Sequence, residues 1–261
     1  MRFGILVARQ RSGTGALGSV LDKHAQLKYL GEIFHPDNAG QSDNFFNHMQ
    51  ARIASDPTNA YPDRNEENLL SYVEAQADRL GGRTPVIDIK YRSLHHLNGG
   101  WIGLVERPWV LNYAMRNGLP IIHLTRKNFL ETFVSGRLAE ANKVWHTANA
   151  DDVKVQSVVV NVRHLSHYMA TAKRETALVE QWISGYRKCV SVDYAELFDD
   201  GGCVSAENCD AFAASFDVSP FEQRTPSFVK QASSSLSDTI ENYELVQQAL
   251  AGTEFEWMTQ G

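Results

Sequence analysis

The stretch "ARQRSGTGALGSV", residues 8–20, follows directly on the apolar run "FGILV" of residues 3–7 and carries two incompatible messages. Gly13, Gly15 and Gly18 spell G-x-G-x-x-G, the pattern of a dinucleotide-binding turn. Arg9, Arg11, Ser12 and Thr14 crowd the same turn with cationic and hydroxyl groups, as a loop built for a compact oxyanion does. The flanks are easier to read. "RFGILVA" is short, apolar and β-rich, which predicts a buried strand. Ala16, Leu17, Val20, Leu21 and His24 recur at helical spacing, which predicts a helix from near Thr14. Strand, tight loop and helix together aim backbone N–H groups and the positive end of a helix dipole at the loop, a setting that favours an anion.

A dinucleotide fold puts its first glycine immediately after the strand and an acidic residue about twenty positions on. Glu32 stands nineteen residues after Gly13, so an NAD(P)-binding oxidoreductase stays open as an alternative. Against it, Arg9 to Ser12 stand between the strand and Gly13, where an arginine crowds the approach of pyrophosphate to backbone. A Walker loop requires lysine after its second glycine, and this loop supplies none. What remains is a phosphate loop of another design. Arg11 leads, Ser12 and Thr14 offer hydroxyls, and Gly13 and Gly15 admit a ligand close to backbone.

Further strands are expected in "LKYLGEIFH", ending at Glu32, in "PVIDIKY", in "LPIIHLTR" and in "KCVSVDYAELF", ending at Tyr194. Helices are expected over Leu69–Leu80, closed by Gly81-Gly82, in "NFLETFVSGRLAEANKVW" and in the tail "SLSDTIENYELVQQAL". Strands alternating with helices imply an α/β fold: a P-loop-like, mostly parallel central sheet flanked by helices on both faces. The chain of 261 residues shows no repeat or linker, so one domain over 1–261 is expected. The polar stretch around 36–65 reads as a loop or lid insertion.

A formal charge of −6 argues against a nucleic-acid or anionic-membrane surface. Neither a leader nor a membrane anchor is expected, and Cys189, Cys203 and Cys209, an odd set without C-x-x-C spacing, read as reduced thiols; the expected setting is the cytoplasm.

The loop "RSGTG", Arg11 to Gly15, resembles the 5′-phosphosulfate loop of the PAPS-dependent sulfotransferases, which use 3′-phosphoadenylyl sulfate as donor. Their second signature, a strand ending in Arg followed by a helix carrying Ser, is similar to "IIHLTRKNFLETFVSGRLA", which supplies Arg126 and Ser135. These two are separated by nine positions, one more than in many members. That spacing resembles the bacterial trehalose and nodulation-factor sulfotransferase group. "GEIF", "VDYAELF" and "SDTIENYEL" resemble the acidic strand end, late strand and terminal helix of the same enzymes.

The resemblance implies PAPS as co-substrate, with no metal, held by Arg11, Ser12, Gly13, Thr14, Gly15, Arg126 and Ser135. A donor with two anionic ends requires two anion sites, and a second arginine site separates it from a nucleoside triphosphate. The resemblance makes Glu32 the catalytic base, in place of a salt-bridged strand-end carboxylate, and gives Arg11 charge stabilisation of the phosphosulfate. His35 is the competing base. Lys90 and Lys230 are candidate anion contacts, each also readable as a surface lysine, and Tyr194 is a candidate adenine contact. Trp145-His146 lies near the acceptor by the same analogy. The implied acceptor is a small molecule, saccharide or secondary metabolite bearing a hydroxyl or amine, the implied assembly a homodimer. A nucleotide-binding protein without catalysis is the remaining alternative.

Overall fold

The computed structural model describes residues 3–35, 44–98, 106–143, 155–227 and 235–260. Its strands are β1 (Gly4–Ala8), β2 (Leu27–Glu32), β3 (Thr84–Lys90), β4 (Ile121–Thr125) and β5 (Cys189–Asp193). The helices are α1 (Thr14–Lys23), α2 (Phe45–Ser55), α3 (Asn65–Ala75), α4 (Ala77–Leu80), α5 (Trp109–Arg116), α6 (Phe129–Asn142), α7 (Val162–Ile183), α8 (Tyr194–Leu197), α9 (Ala206–Phe216), α10 (Leu236–Thr239) and α11 (Tyr243–Leu250). None of them is long and apolar enough to cross a membrane, among the described residues.

The strands form one sheet in the order β2-β3-β1-β4-β5, and every neighbouring pair is parallel. All C-terminal strand ends therefore lie on one edge. Ala8 is level there with Lys90, Glu32 with Asp88, and Thr125 with Asp193. β1 is central and buried on both faces, which is why its sequence is a continuous apolar run instead of an alternation.

The two-residue period of the strands sorts the core. Ile5, Val7, Ile87, Ile89 and Ile121 face Leu69, Tyr72 and Val73 of α3, Val110 and Leu111 of α5, and Val179 and Ile183 of α7. Leu6, Ala8, Val86, Ile122 and Leu124 face Leu17, Val20 and Leu21 of α1 and Phe212 and Phe216 of α9. A third cluster joins α6 and the first half of α7 to the tail through Leu130, Val134, Leu165, Met169, Ile240 and Val246. Each large side chain fully buried in these layers contributes roughly 1.5–3 kcal/mol of transfer free energy. The fold is the expected single-domain α/β architecture, with helices on both sheet faces.

Several boundaries differ from the expectation. The tail is not one helix. Ile240 is extended after α10, and Val158 pairs with it, so α11 begins afresh at Tyr243. The helix expected over Leu69–Leu80 breaks at Gln76, whose backbone leaves the helical region before α4, and Gly81 caps the end in the left-handed region. β5 ends at Asp193, because the Asp193 side chain accepts from the Ala195 N–H and starts α8 at Tyr194. Residues 44–65 are mostly helical. Arg52 of α2 ties this segment together by donating to Asn59, Glu67, Asn68 and Ser71. Residues 36–43, Trp101, Trp145-His146 and Lys230 lie outside the described residues.

Candidate functional site

β1 stops at Ala8 and α1 starts at Thr14, so Arg9 to Gly13 form the turn between them. Two residues of this turn have left-handed backbone, Arg11 at φ 65° and Gly13 at φ 92°. Gly13 is the N-cap of α1 and no side chain caps it, so no side chain quenches the free N–H groups of the first turn. Ser12 is 1% exposed and its Oγ has no partner among the described residues. The Gln10 Nε2 is likewise buried and unpartnered. Buried hydroxyls without a partner are costly and rare, and an orphan at the positive end of a helix suits an acceptor-rich ligand.

The two sequence-predicted arginines meet at this turn. Arg11 donates from Nε and Nη2 to the Ser135 Oγ of α6, at 3.2 and 3.1 Å. Arg126 follows β4 and donates from Nη1 to the Arg11 carbonyl oxygen at 3.4 Å. Its Nε and Nη2 donate to Glu131, and its guanidinium carbon lies 4.6 Å from the centroid of the Tyr194 ring. Glu131 stands in the first turn of α6, whose N-cap Asn128 accepts from the Glu131 N–H. Burial first and the Arg126 charge second hold the Arg11 guanidinium below the usual arginine range, opposed by Glu32. Two cations this close raise the affinity of the turn for an anion.

Behind the turn lies a buried polar chain that sequence reading finds only in part. Lys90, 3% exposed, donates to Thr14 Oγ1 and to both oxygens of Asp88 at 2.8 and 2.7 Å, and its Nζ is 3.3 Å from Glu32 Oε1. The Tyr29 hydroxyl donates to Asp88 at 2.7 Å, and burial beside Asp88 drives the Tyr29 phenol well up. Lys90 is thus no surface lysine. Its ammonium sits between the first residue of α1 and the proposed base. Gly18 is part of the same device: a Cβ there would stand 2.4 Å from the Tyr29 ring. Asp88 and Tyr29 were missed in the sequence. The available signal was an acid two positions before a lysine inside an apolar strand, which puts both on one face.

Other candidates fall elsewhere. Arg9 leaves the turn for α7, where it pairs with Glu175 and lies 4.6 Å from the Tyr168 ring centroid. Gly15 is in the first turn of α1. His35 follows β2, and its carbonyl accepts from Asn44. Tyr194 presents an edge to Gly13, with Cε2 2.4 Å from where a Cβ would stand, and a face to Arg126. His123 is buried in β4, shares a hydrogen bond with the Tyr91 hydroxyl and has an unpartnered Nδ1. Burial raises the Cys209 thiol to about 11, which leaves it inert. No group of His, Cys, Asp and Glu suited to a metal occurs among the described residues.

No family model matches the chain, and no curated protein matches it. Among solved structures it is similar to a sulfotransferase domain from the curacin biosynthetic pathway, at 14% identity and a TM-score of 0.44, covering 90% of this chain and 81% of that one.

Proposed function

We propose that the chain is a sulfotransferase that moves the sulfuryl group of 3′-phosphoadenylyl sulfate to a hydroxyl, or less readily an amine, of a small-molecule or saccharide acceptor in the cytoplasm. One observation carries this reading: Arg11 and Arg126 converge on a turn whose Ser12 hydroxyl is buried without a partner, at the uncapped positive end of α1. The residues fit a ligand with two anionic groups. Arg11, Ser12, the N–H groups around Gly13 to Gly15 and Thr14 suit the phosphosulfate end; Arg126 and Ser135 suit the 3′-phosphate. The donor supplies the sulfuryl group and departs as the adenosine bisphosphate.

The work left to the protein is positioning and charge. Glu32 accepts the proton of the acceptor hydroxyl as its oxygen bonds to sulfur and the sulfur–phosphate oxygen bond breaks. Arg11 and the loop N–H groups hold the charge that grows on the departing phosphate oxygen. A proton arriving on Glu32 loosens its pairing with Lys90, and the ammonium stays with Asp88 and Thr14 at the loop. Residues 44–65, in the segment that follows Glu32, form the acceptor side.

The test is a thermal-shift panel with adenosine 3′,5′-bisphosphate, NADH and ATP with magnesium. A ligand specific to the native state raises its stability, and the bisphosphate alone is expected to do so without metal. Stabilisation by NADH and not by the bisphosphate overturns the reading. Labelled donor incubated with a small-molecule extract then identifies the acceptor.

A further inference from the structure

The first turn of α6 is tied on one side to Arg126 and on the other to the 3₁₀ turn Glu256–Thr259. Asn128 joins the two. Its Oδ1 accepts from the Glu131 N–H at 3.1 Å, and its Nδ2 donates to Glu131 Oε1 at 3.3 Å and to the Met258 carbonyl at 3.2 Å. One donor and two acceptors as partners engage both ends of the amide and fix its orientation. Glu131 stands three residues after this N-cap, where the carboxylate of a capping box turns back to the cap backbone. Here it is turned to Arg126, taking Nε at 3.2 Å and Nη2. The turn that supplies the Met258 carbonyl is itself anchored. Met258 is 2% exposed and packs in the cluster of Leu130 and Val134. The Tyr243 hydroxyl donates to the Thr259 carbonyl, and Lys173 of α7 pairs with Glu254 just ahead of the turn.

We propose that Asn128 is a positioning residue through which the docked turn Glu256–Thr259 controls the aim of Arg126, and with it the affinity for a 3′-phosphorylated nucleotide. The inference rests on the sulfotransferase reading and adds a control element outside the donor contacts. Asn128 and Met258 act through Glu131 and need not touch the ligand. The Glu131 side chain is 30% exposed, so water competes for its oxygens and one partner alone holds it loosely. With Oε1 held by Asn128, Oε2 stays turned to the Nε side of Arg126 and keeps the fork in one orientation. The Met258 carbonyl in turn keeps the Asn128 amide in place, so the hold on Arg126 weakens when the turn lifts. Coupling of this kind is reciprocal: a ligand that is bound more tightly with the turn docked must itself strengthen the docking by the same factor.

Calorimetric titration of the full chain with adenosine 3′,5′-bisphosphate and with AMP tests this, together with amide hydrogen exchange. Asn128→Ser keeps an N-cap oxygen and loses the amide donor, so it is expected to keep the melting temperature of the unsubstituted chain. Its affinity for the bisphosphate is expected to fall about tenfold, the weight of one hydrogen bond to a charged group, while AMP affinity holds. In a Glu131→Gln background, Asn128→Ser is expected to add nothing further. In the unsubstituted chain the bisphosphate is expected to slow exchange of the Met258 and Gln260 amides, which donate to Phe255 and Trp257 within the turn, and AMP is not. Unchanged bisphosphate affinity in Asn128→Ser, equal losses for both nucleotides, additive losses in the double variant, or exchange in the turn that ignores the bisphosphate overturns the proposal and leaves the sulfotransferase reading standing. Failure of the unsubstituted chain to bind the bisphosphate removes that reading, and the proposal with it. Should Asn128→Ser not fold, the exchange measurement on the unsubstituted chain decides.

Discussion

Lys90 and Glu32 stand at the C-terminal ends of neighbouring strands, and the ammonium of one lies 3.3 Å from the carboxylate of the other. Lys90 also holds the fully buried Asp88, so one cation serves two acids of different exposure. Removing it leaves Asp88 charged in the core with the Tyr29 hydroxyl as its remaining side-chain partner among the described residues. Breaking a buried ion pair from one side costs about 3–5 kcal/mol, so Lys90→Met is expected to lower the urea midpoint by that amount of stability. Lys90→Met combined with Asp88→Leu is expected to recover much of the loss. Additive losses in urea titration would show that the two side chains are not an energetic unit.

Ser12→Ala separates folding from binding. The Ser12 Oγ is buried and unpartnered, so deleting it relieves a desolvation penalty of about 1–3 kcal/mol in the free protein. The variant is expected to melt at a higher temperature and to bind adenosine 3′,5′-bisphosphate more weakly. A lower melting temperature would mean that the hydroxyl is satisfied in solution without ligand.

Glu32→Gln is expected to slow transfer by roughly 10²–10⁴-fold, the range of a lost general base, while bisphosphate affinity stays within twofold. His35→Asn is expected to keep its turnover. The reverse pattern, measured with labelled donor, moves the base to His35.

Gly18→Ala forces a methyl group against the Tyr29 ring. Overpacking of this kind costs roughly 1–3 kcal/mol, and Tyr29→Leu in the same chain is expected to absorb part of it. The readout is chemical denaturation of the two single variants and the double. Loss of NADH binding on Gly18→Ala would instead support the dinucleotide role of the third glycine.

Acid stability reports on His123. Burial pushes its imidazole down to about 4, from an ordinary value of 6.5. The unfolded chain therefore takes up a proton before the folded one as pH falls. The stabilising contribution is complete above pH 6.5 and is lost between pH 6.5 and 4, about 3 kcal/mol in all. His123→Phe is expected to flatten the fall in stability between pH 7 and 5, measured by urea titration at each pH.

The fold was legible where burial is two-sided. "FGILV", "PVIDIK" and "IIHLT" are apolar throughout because parallel strands under two helical layers have no wet face. Arg126 was named for another reason, the resemblance carried by "IIHLTRKNFLETFVSGRLA", and the Asn128 cap that starts α6 was not read. The longest helix, α7, escaped notice because its buried positions, Leu165, Met169, Ala172, Val179 and Ile183, are thinly spread among charged residues. The break at Ile240 depends on Val158, a partner far away in sequence. The candidate site divides in the same way. Its loop was readable, but the chain from Tyr29 through Asp88 to Lys90 exists only once β2 and β3 lie side by side. Tyr194 meets Arg126 only because β4 and β5, which precede these two residues, are neighbours in the sheet.

Residue 11 has a consequence for anyone engineering this chain. An arginine held at φ 65° lies where glycine is at ease, and such a backbone costs roughly 1–3 kcal/mol. Directed evolution for heat tolerance alone will therefore favour glycine at 11 and alanine at 12. The survivors of such a screen would be sturdier and blind to anions, so a library built on this scaffold has to be sorted by what it captures before it is sorted by how well it endures.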